Sequence, residues 1–433
     1  MAEKIMYINA AQFEEEVVHG GKVVVDFYST ECPPCEALAS KYESLSELYG
    51  DDIKFIKIFR QENRDLAEML GVTSSPTVLF YDKGKQVGDT LRGGIRRADL
   101  IRNLDALIPD ERVSEIKSRI KPVHTECDVL IVGGGPAGLT AGIYSAQAML
   151  DTIIVDIALP GGWVTTTHQV SNYPGFVDPI QGFMLSHQMS EHAKAAGVKF
   201  RPAVDVTGVD LRKKQVVVDE YETITAKKII IATGSSPRPL GVKGEKEYRG
   251  KGISYCATCD AKYYQHKDVI VIGGGNSAIE ESLFISKFAR KITIVHQFDH
   301  LQANKMLQEK IFAKESVSFV WEHEPREFVK TGDSVDKVVV EELKTGAMKT
   351  LECNGVFIFA GTQPNLELFN GDFSLDQWGY VETDDDMHSS IPDVFVVGDI
   401  RSKKYRQITT AVADGTIAAM AITKELETDG ADA

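Results

Sequence analysis

Along the first hundred residues, short apolar runs alternate with segments whose apolar positions recur every three or four residues. The run "KVVVDFYS" predicts a buried strand, and "CEALASKYESLSELYG" predicts an amphipathic helix ended by Gly50. A second strand is expected at "IKFIKIF", a short helix at "NRDLAEMLG", and a hairpin turning on a Lys-Gly pair at "SPTVLFYDKGKQV". The helical pattern "ADLIRNLDALI" closes a unit over residues 1–107. Residues 108–125 are charged, show no strand pattern and are expected to form a linker.

The apolar pattern restarts at "CDVLIVGGGPAGLTAGIYSAQA", which predicts a strand, a glycine turn and a helix. The same order recurs in "KDVIVIGGGNSAIEESLFISKFARKITIVHQ". An internal repeat of strand, GxGxx(G/A) turn, helix and strand predicts two dinucleotide-binding folds. The chain then ends with "IPDVFVVGDI" and "YRQITTAVADGTIAAMAI", read as a strand, a Gly-Asp turn and a final helix. The predicted class is α/β throughout.

A length of 433 residues suggests roughly two to four domains, consistent with the three units in the pattern. The formal charge of −15 argues against a nucleic-acid partner and against an anionic membrane surface. The N-terminus lacks the basic-then-apolar pattern of a signal peptide, and no apolar run approaches about 18 residues, so a cytoplasmic protein is the expectation. Six cysteines are too few for a disulfide scaffold. Cys127 and Cys353 are isolated and read as buried apolar thiols.

The other four form two C-x-x-C pairs, Cys32 with Cys35 and Cys256 with Cys259. Such a pair is redox-active, metal-binding or structural; a shared metal is disfavoured by the long separation between the pairs. A low-pKa thiol in such a pair attacks a disulfide or a flavin, and its partner resolves the mixed species. Asp260, directly after Cys259, could shuttle a proton to and from the departing thiolate. Asp26 interrupts an apolar strand. If buried, it would have a raised pKa and could exchange a proton at a buried Cys35 thiol; if it lies on an exposed strand edge, it would do neither. Pro76 follows a polar cluster and suits a cis peptide in a tight loop beside the cysteines.

In the first glycine turn, Gly133 permits the bend, Gly135 lets the backbone approach a pyrophosphate, and Gly138 lets the helix pack on the strand. Asp156 stands about twenty residues on, where a carboxylate holds the adenosine ribose. The second turn has Gly273, Gly275 and Ala278, but the strand after it ends "ITIVHQFDHLQANK". It offers neither an acid for a ribose 2′-hydroxyl nor an arginine for a 2′-phosphate, and Asp299 comes too late.

Residues 1–107 resemble a thioredoxin domain through "VVVDFYSTECPPC" and "GVTSSPTVLFYDKG". The family's Trp-Cys-Gly-Pro-Cys is "ECPPC" here, with Glu31 for Trp and Pro33 for Gly. The resemblance makes Cys32 the attacking thiol, Cys35 the resolving one and Pro76 the cis-proline of the docking groove. Residues 126–433 resemble bacterial low-molecular-weight thioredoxin reductases through "GGGPAGLTAGIYSAQA", "NYPGF", "IIATGSSPRPLGVKGE", "ISYCATCD", "VIGGGNSAIEES" and "VVGDI".

Together these resemblances imply a thioredoxin fold followed by two Rossmann-like domains, the second inserted in the first. The FAD-binding domain would span 126–238 and 363–433, with a nicotinamide-binding-like domain carrying the CATC pair over 239–362. They imply FAD held by Gly133, Gly135, Ala137, Gly138, Asp156, Gly161, Gly162, Trp163, Asn172, Ala232, Thr233, Gly234, Gly398, Asp399, Arg406, Gln407 and Ile408. A nicotinamide nucleotide would meet Gly273, Gly275, Asn276, Ser277, Ala278 and His296. Trp163 departs from the family's Gly-Gly-Gln, and Gln297, Phe298 and Gln302 replace its three NADPH-gripping arginines.

The expected route runs from NADH through FAD and Cys256–Cys259 to Cys32–Cys35, then to a protein disulfide or a peroxiredoxin, in a homodimer. NADPH is disfavoured. The alkyl hydroperoxide reductase flavoprotein is similar in logic. Reduced ferredoxin or a deazaflavin as donor, and a non-catalytic flavin redox sensor, are the competing readings.

Overall fold

The computed structural model describes residues 4–167, 169–332, 334–369 and 371–431. The chain divides into two compact units, one of Met1–Gly162, Ser186–Gly234 and Leu366–Ala433, the other of Trp163–Leu185 and Ser235–Asn365. The first unit holds two sheets, one for each of its modules.

The N-terminal module is built on five strands in the order Ile5–Ile8, Lys54–Phe59, Lys22–Tyr28, Thr77–Asp82 and Lys85–Arg92. Lys22–Tyr28 is central, parallel to Lys54–Phe59 and antiparallel to Thr77–Asp82. Its side chains feed two cores. Val24 packs with Leu38, Tyr42 and Leu45 of the helix Pro33–Tyr49, while Val23, Val25 and Phe27 face Phe13, Val17 and Leu66. Burial on both faces explains why this strand reads as a continuous apolar run. The hairpin turns on Lys83 and Gly84 with φ of 50° and 78°, the left-handed pair that a two-residue loop between twisted strands requires.

The stretch 108–125 differs from its expected linker role. It contains the helix Asp110–Ser118 and the start of the strand Val123–Val132. Ile116 is fully buried in the same core as Leu104 and Ile108, while Arg112 pairs outward with Asp52 at 2.8 Å. The charged outer face of this helix hid its short apolar stripe.

The second module of this unit has a seven-stranded sheet. Val123–Val132 runs parallel to Thr152–Val155 on one side and to Glu222–Ile231 on the other. Glu222–Ile231 also pairs with Gln215–Val218 at its start and with Val394–Val396 at its end. The C-terminal segment thereby returns to the sheet that opened at residue 123. The final helix, Ile408–Ala431, approaches Pro136–Gln147 so closely that a Cβ on Gly415 would lie 2.2 Å from the Ala137 carbonyl oxygen.

The other unit carries a parallel sheet ordered Ile253–Ser254, Gly355–Ile358, Asp268–Ile272, Lys291–His296 and Val317–Trp321. It adds a three-stranded antiparallel sheet of His323–Val329, Lys337–Glu342 and Met348–Glu352 that the sequence reading did not foresee. The class is α/β as expected, a thioredoxin fold followed by two Rossmann-type folds, the second inserted in the first. No helix among the described residues is long and apolar enough to cross a membrane.

Candidate active site

Cys32 caps the helix Pro33–Tyr49, and its sulfur accepts the Cys35 N–H at 3.3 Å. The two residues are joined as a disulfide with their Cα atoms 5.2 Å apart. The Ser75–Pro76 peptide is cis, Pro76 is buried, and the Ser75 carbonyl oxygen lies 3.6 Å from the Cys32 sulfur. Cys32 is 9% exposed, whereas Cys35, expected to be the buried thiol, is only half-buried. The loop carrying the cis-proline lies against Cys32 and accounts for part of that cover.

Asp26 is buried on the central strand, so the exposed-edge alternative is excluded. Its Oδ1 has no hydrogen-bond partner and its Oδ2 lies 3.8 Å from Lys57 Nζ. Loss of hydration raises its pKa to about 7, against a smaller opposing pull from Lys57.

Cys256 repeats the arrangement at the short helix Ala257–Asp260, where its sulfur accepts the Cys259 N–H at 3.2 Å. Cys256 and Cys259 are also disulfide-bonded, with Cα atoms 5.4 Å apart, and Cys259 is exposed. Ser254 Oγ accepts the Cys256 N–H, and Thr258 Oγ1 lies 3.3 Å from the Cys256 sulfur while donating to the Thr166 carbonyl. Asp260 ends this helix and lines a cavity of about 540 Å³ with Lys251, Lys267, Tyr263 and Tyr264. Cys127 and Cys353 are buried free thiols, both pushed up to about 12 by burial.

The first glycine turn has the form a dinucleotide needs. Gly133 has φ of 109°, and a Cβ there would lie 2.4 Å from the Ala232 carbonyl oxygen. At Gly135, by contrast, a Cβ would meet only the Gly162 Cα at 3.8 Å. Gly135 caps Pro136–Gln147 without any side chain closing the helix end, so the first N–H groups face open space. Gly138 lets helix and strand meet: its Cβ would lie 2.0 Å from the Gly133 carbonyl oxygen. Asp156 accepts the Gly134 N–H at 2.6 Å and the Ala158 N–H at 2.8 Å, and burial raises its pKa to about 6.

Gly161 donates to the Gly134 carbonyl at 2.7 Å, drawing Gly161 and Gly162 over the turn. Ala232 donates to the Val132 carbonyl at 2.8 Å, which sets Thr233 and Gly234 at the end of the neighbouring strand. Trp163, 52% exposed, and Asn172, also exposed, fall in the other compact unit.

The C-terminal part of the site is organised by a residue the sequence reading missed. Asp414 accepts the Gly398 N–H at 3.0 Å and pairs with Arg401 at 2.9 Å and Lys403 at 3.0 Å. Lys403 also lies 3.2 Å from Asp399 Oδ1, outside hydrogen-bond geometry. Burial raises the Asp399 pKa, with Lys403 and Arg406 opposing. Gly398 abuts the Ala137 side chain, Arg406 stacks over Tyr380 at 3.7 Å, and Gln407 leads into the helix starting at Ile408. An open helix start, a carboxylate with spare acceptor capacity and a cradle of glycines fit the FAD of the resemblance.

In the second turn, Gly273 has φ of 129° and Gly275 again opens on free space before the uncapped helix Asn276–Ile285. Ala278 is buried beneath the turn and Ser277 is exposed. His296, at the end of the neighbouring strand, is buried with Nε2 unpartnered. A Cβ on Gly274 would lie 2.6 Å from its ring. Burial and the nearby His300 lower its pKa. Asn276 Oδ1 accepts the Asn304 N–H at 2.8 Å, and the Gly274 carbonyl accepts from Gln302 and Ala303. These contacts fix the segment after the strand end, where Asp299 is held by His300 at 2.6 Å and Gln297 and Phe298 are exposed. Neither of those two exposed residues brings a cation.

Residues 127–415 match the pyridine nucleotide-disulphide oxidoreductase family, and residues 4–106 match thioredoxin. The chain is 43% identical over 296 residues to a "34.2 kDa protein in rubredoxin operon" of Clostridium pasteurianum, spanning 68% of this chain and 96% of that protein. It is 42% identical over 307 residues to the thioredoxin reductase of Peptoclostridium acidaminophilum, spanning 69% and 97%. Among solved structures, Lactococcus lactis thioredoxin reductase in its FR conformation aligns with a TM-score of 0.66 at 38% identity, covering 69% of this chain and 98% of that one. Thioredoxin reductase of T. acidophilum aligns with a TM-score of 0.65 at 34% identity, covering 70% and 99%. Common descent accounts for the two glycine turns and the disulfide between them: the chain belongs to the pyridine nucleotide-disulphide oxidoreductase family, in thioredoxin reductase-like form, with a thioredoxin domain joined ahead of it.

Proposed function

We propose that this chain reduces protein disulfides with electrons from NADH, using Cys256–Cys259 as internal acceptor and Cys32–Cys35 as its own fused carrier. The observation that carries this reading is the repetition, on one chain, of a disulfide whose first sulfur caps a helix and accepts the N–H of the second cysteine. FAD, when bound, supplies the carrier that accepts a hydride equivalent from nicotinamide and passes two electrons to a disulfide.

The protein's own part is thiol exchange. A thiolate of the reduced CATC pair attacks the Cys32–Cys35 disulfide, forming a mixed disulfide and releasing one thiolate of the carrier. The second CATC thiol then closes Cys256–Cys259 and releases the other. Two electrons and two protons pass to Cys32 and Cys35, which repeat the exchange on a client such as a peroxiredoxin. Helix-start N–H groups favour each thiolate. In this reading Asp260 serves the proton of the departing CATC thiolate, and Asp26, titrating near neutrality, can take and return one in the carrier. We place the chain in a homodimer, which sedimentation of the purified protein tests.

NADH is favoured because the exposed Gln297 and Phe298 supply no cation for a 2′-phosphate. The same strand end also lacks an acid for the 2′-hydroxyl, and that favours a second reading with reduced ferredoxin or a deazaflavin as donor. Anaerobic titration of the flavin absorbance with NADH, NADPH and reduced ferredoxin decides between them. Bleaching by NADH alone is expected; bleaching only by ferredoxin would sink the nicotinamide route.

A further inference from the structure

Within the first unit the thioredoxin module rests on the flavin-binding module along a seam built around a lysine. Lys41, on the helix that starts at the CPPC pair, is 7% exposed. Its Nζ donates to the Ile95 carbonyl of its own module at 3.2 Å. It also donates to the Pro202 and Ala203 carbonyls of the flavin-binding module at 2.8 and 2.6 Å. Three carbonyls use all the donors of one ammonium group. Ala203 is itself fully buried and held at φ of 51°, a conformation an alanine adopts only when its surroundings impose it.

Around this contact the charges are complementary. Arg96 pairs with Asp205 at 3.0 Å, and Arg97 stacks over Tyr221 at 5.0 Å. Asp219 and Asp205 join each other through backbone N–H groups and both act on Lys41. Exposed ion pairs contribute little singly; a buried ammonium donating to three carbonyls contributes more.

The seam also reaches the rim of the CPPC site. Glu36, the residue after Cys35, pairs with Lys194 at 3.3 Å. Gly94 faces Leu159, whose Cγ a Cβ there would meet in ordinary van der Waals contact at 3.4 Å. Its neighbour Gly93 donates to the carbonyl of Pro76, the cis-proline beside Cys32. Two residues at the margin of the disulfide site, Glu36 and Gly94, thus meet the flavin-binding module.

We propose that this seam is an autoinhibitory clasp: Lys41 and Arg96 hold the carrier module in a pose that covers the flanks of Cys32–Cys35, and client disulfides reach that pair only when the clasp opens. The inference rests on the proposed role of Cys32–Cys35 as a carrier for clients. It assigns functions to Lys41, Arg96, Asp205 and Lys194 that the relay itself does not need.

The test compares the full chain with Arg96→Glu, Lys41→Met and the swap Arg96→Glu with Asp205→Arg. Small-angle scattering reads the radius of gyration. The reaction of reduced Cys32 with a bulky maleimide, followed at its own peptide by mass spectrometry, reads access to the site. Both single variants should enlarge the particle; Lys41→Met should speed alkylation about tenfold, the order expected from losing charge-assisted hydrogen bonds, and Arg96→Glu, at an exposed pair, by about threefold. The swap should recover part of the slow rate, since Asp205→Arg also removes an anion from beside Lys41 and Arg96→Glu removes the partner of Asp99.

Hydrogen exchange over Lys22–Tyr28 shows whether a variant has unfolded the module instead; Arg96, being exposed, keeps the test valid if Lys41→Met fails to fold. An alkylation rate unchanged in every single variant that keeps the module folded would overturn the clasp. Insulin reduction by protein pre-reduced with dithiothreitol separates the two levels. Equal rates for closed and opened forms would overturn the inhibitory role, while no reduction by any form would overturn the carrier reading beneath it.

Discussion

Asp26 stands on a strand whose neighbours Val25 and Phe27 are fully buried, and one of its oxygens has no partner. Its folded pKa of about 7 lies above the unfolded value of 3.8, so the folded protein holds a proton that the unfolded chain has already released between those pH values. Stability therefore falls as pH rises through that window, and the full penalty is present above pH 7. Removing the charge with Asp26→Asn should stabilise the module at pH 8 by about 2 kcal/mol. That is less than the shift alone implies, because Lys57 loses its partner. The gain should fade toward pH 4. Hydrogen exchange of Lys22–Tyr28 in the intact chain at the two pH values checks it, and an equal gain at both would show that Asp26 does not titrate as described. At the other end of the relay, replacing Gln297 and Phe298 by arginine should lower the KM for NADPH by about tenfold per useful contact and leave that for NADH nearly unchanged. Steady-state kinetics with both nucleotides measure it.

Elements impose their own tests. Gly133→Ala would place a Cβ 2.4 Å from the Ala232 carbonyl oxygen at φ of 109°, so the turn must deform and the variant should purify with little flavin. The ratio of flavin to protein absorbance reports this directly. Ile116→Ala should destabilise the N-terminal module by about 3 kcal/mol, since its side chain is fully buried between that module's helices; the same substitution on a true linker would cost nothing. Urea unfolding followed at peptides of this module distinguishes the two.

The contrast shows what the sequence could reveal. Both glycine turns, the central strand and the helix that follows Cys32 are specified by adjacent residues, so they were readable, whereas the four-residue helix Ala257–Asp260 is too short to show a period. The helix Asp110–Ser118 was missed because only Val113 and Ile116 turn inward from an otherwise charged segment. The edge strand Ile5–Ile8 is too short, with Met6 and Tyr7 exposed, to alternate clearly. Asp414 and Lys41 read as ordinary polar helix positions, because their partners Gly398, Arg401, Pro202 and Ala203 are brought to them only by tertiary folding.

At the scale of the whole molecule, fusion changes the order of the reaction. A carrier tied to its reductase meets it at an effective concentration set by the connection, on the order of millimolar, whatever the protein concentration. Turnover per chain should therefore stay constant as the protein is diluted, while a free carrier at micromolar levels would be limited by encounter. Two inactive full-length variants separate the possible paths. A chain with Cys32→Ser and Cys35→Ser keeps the reductase, and one with Cys256→Ser and Cys259→Ser keeps the carrier. Mixed together, they can pass electrons to a client disulfide only between chains. If transfer within one chain is the rule, the mixture should recover little activity at micromolar protein and rise in proportion to concentration. If the pairs meet across a homodimer, mixing followed by subunit exchange should restore up to about a quarter of the wild-type rate and hold it on dilution, since half of the dimers are mixed, each has one working pair in place of two, and the tether still sets the concentration. The clasp adds a further requirement to either path. The carrier must leave the Lys41 seam to serve a client, so opening variants should raise the rate of client reduction while leaving flavin reduction by the nucleotide unchanged. A fall in both rates together would mean that the seam supports the flavin-binding module itself.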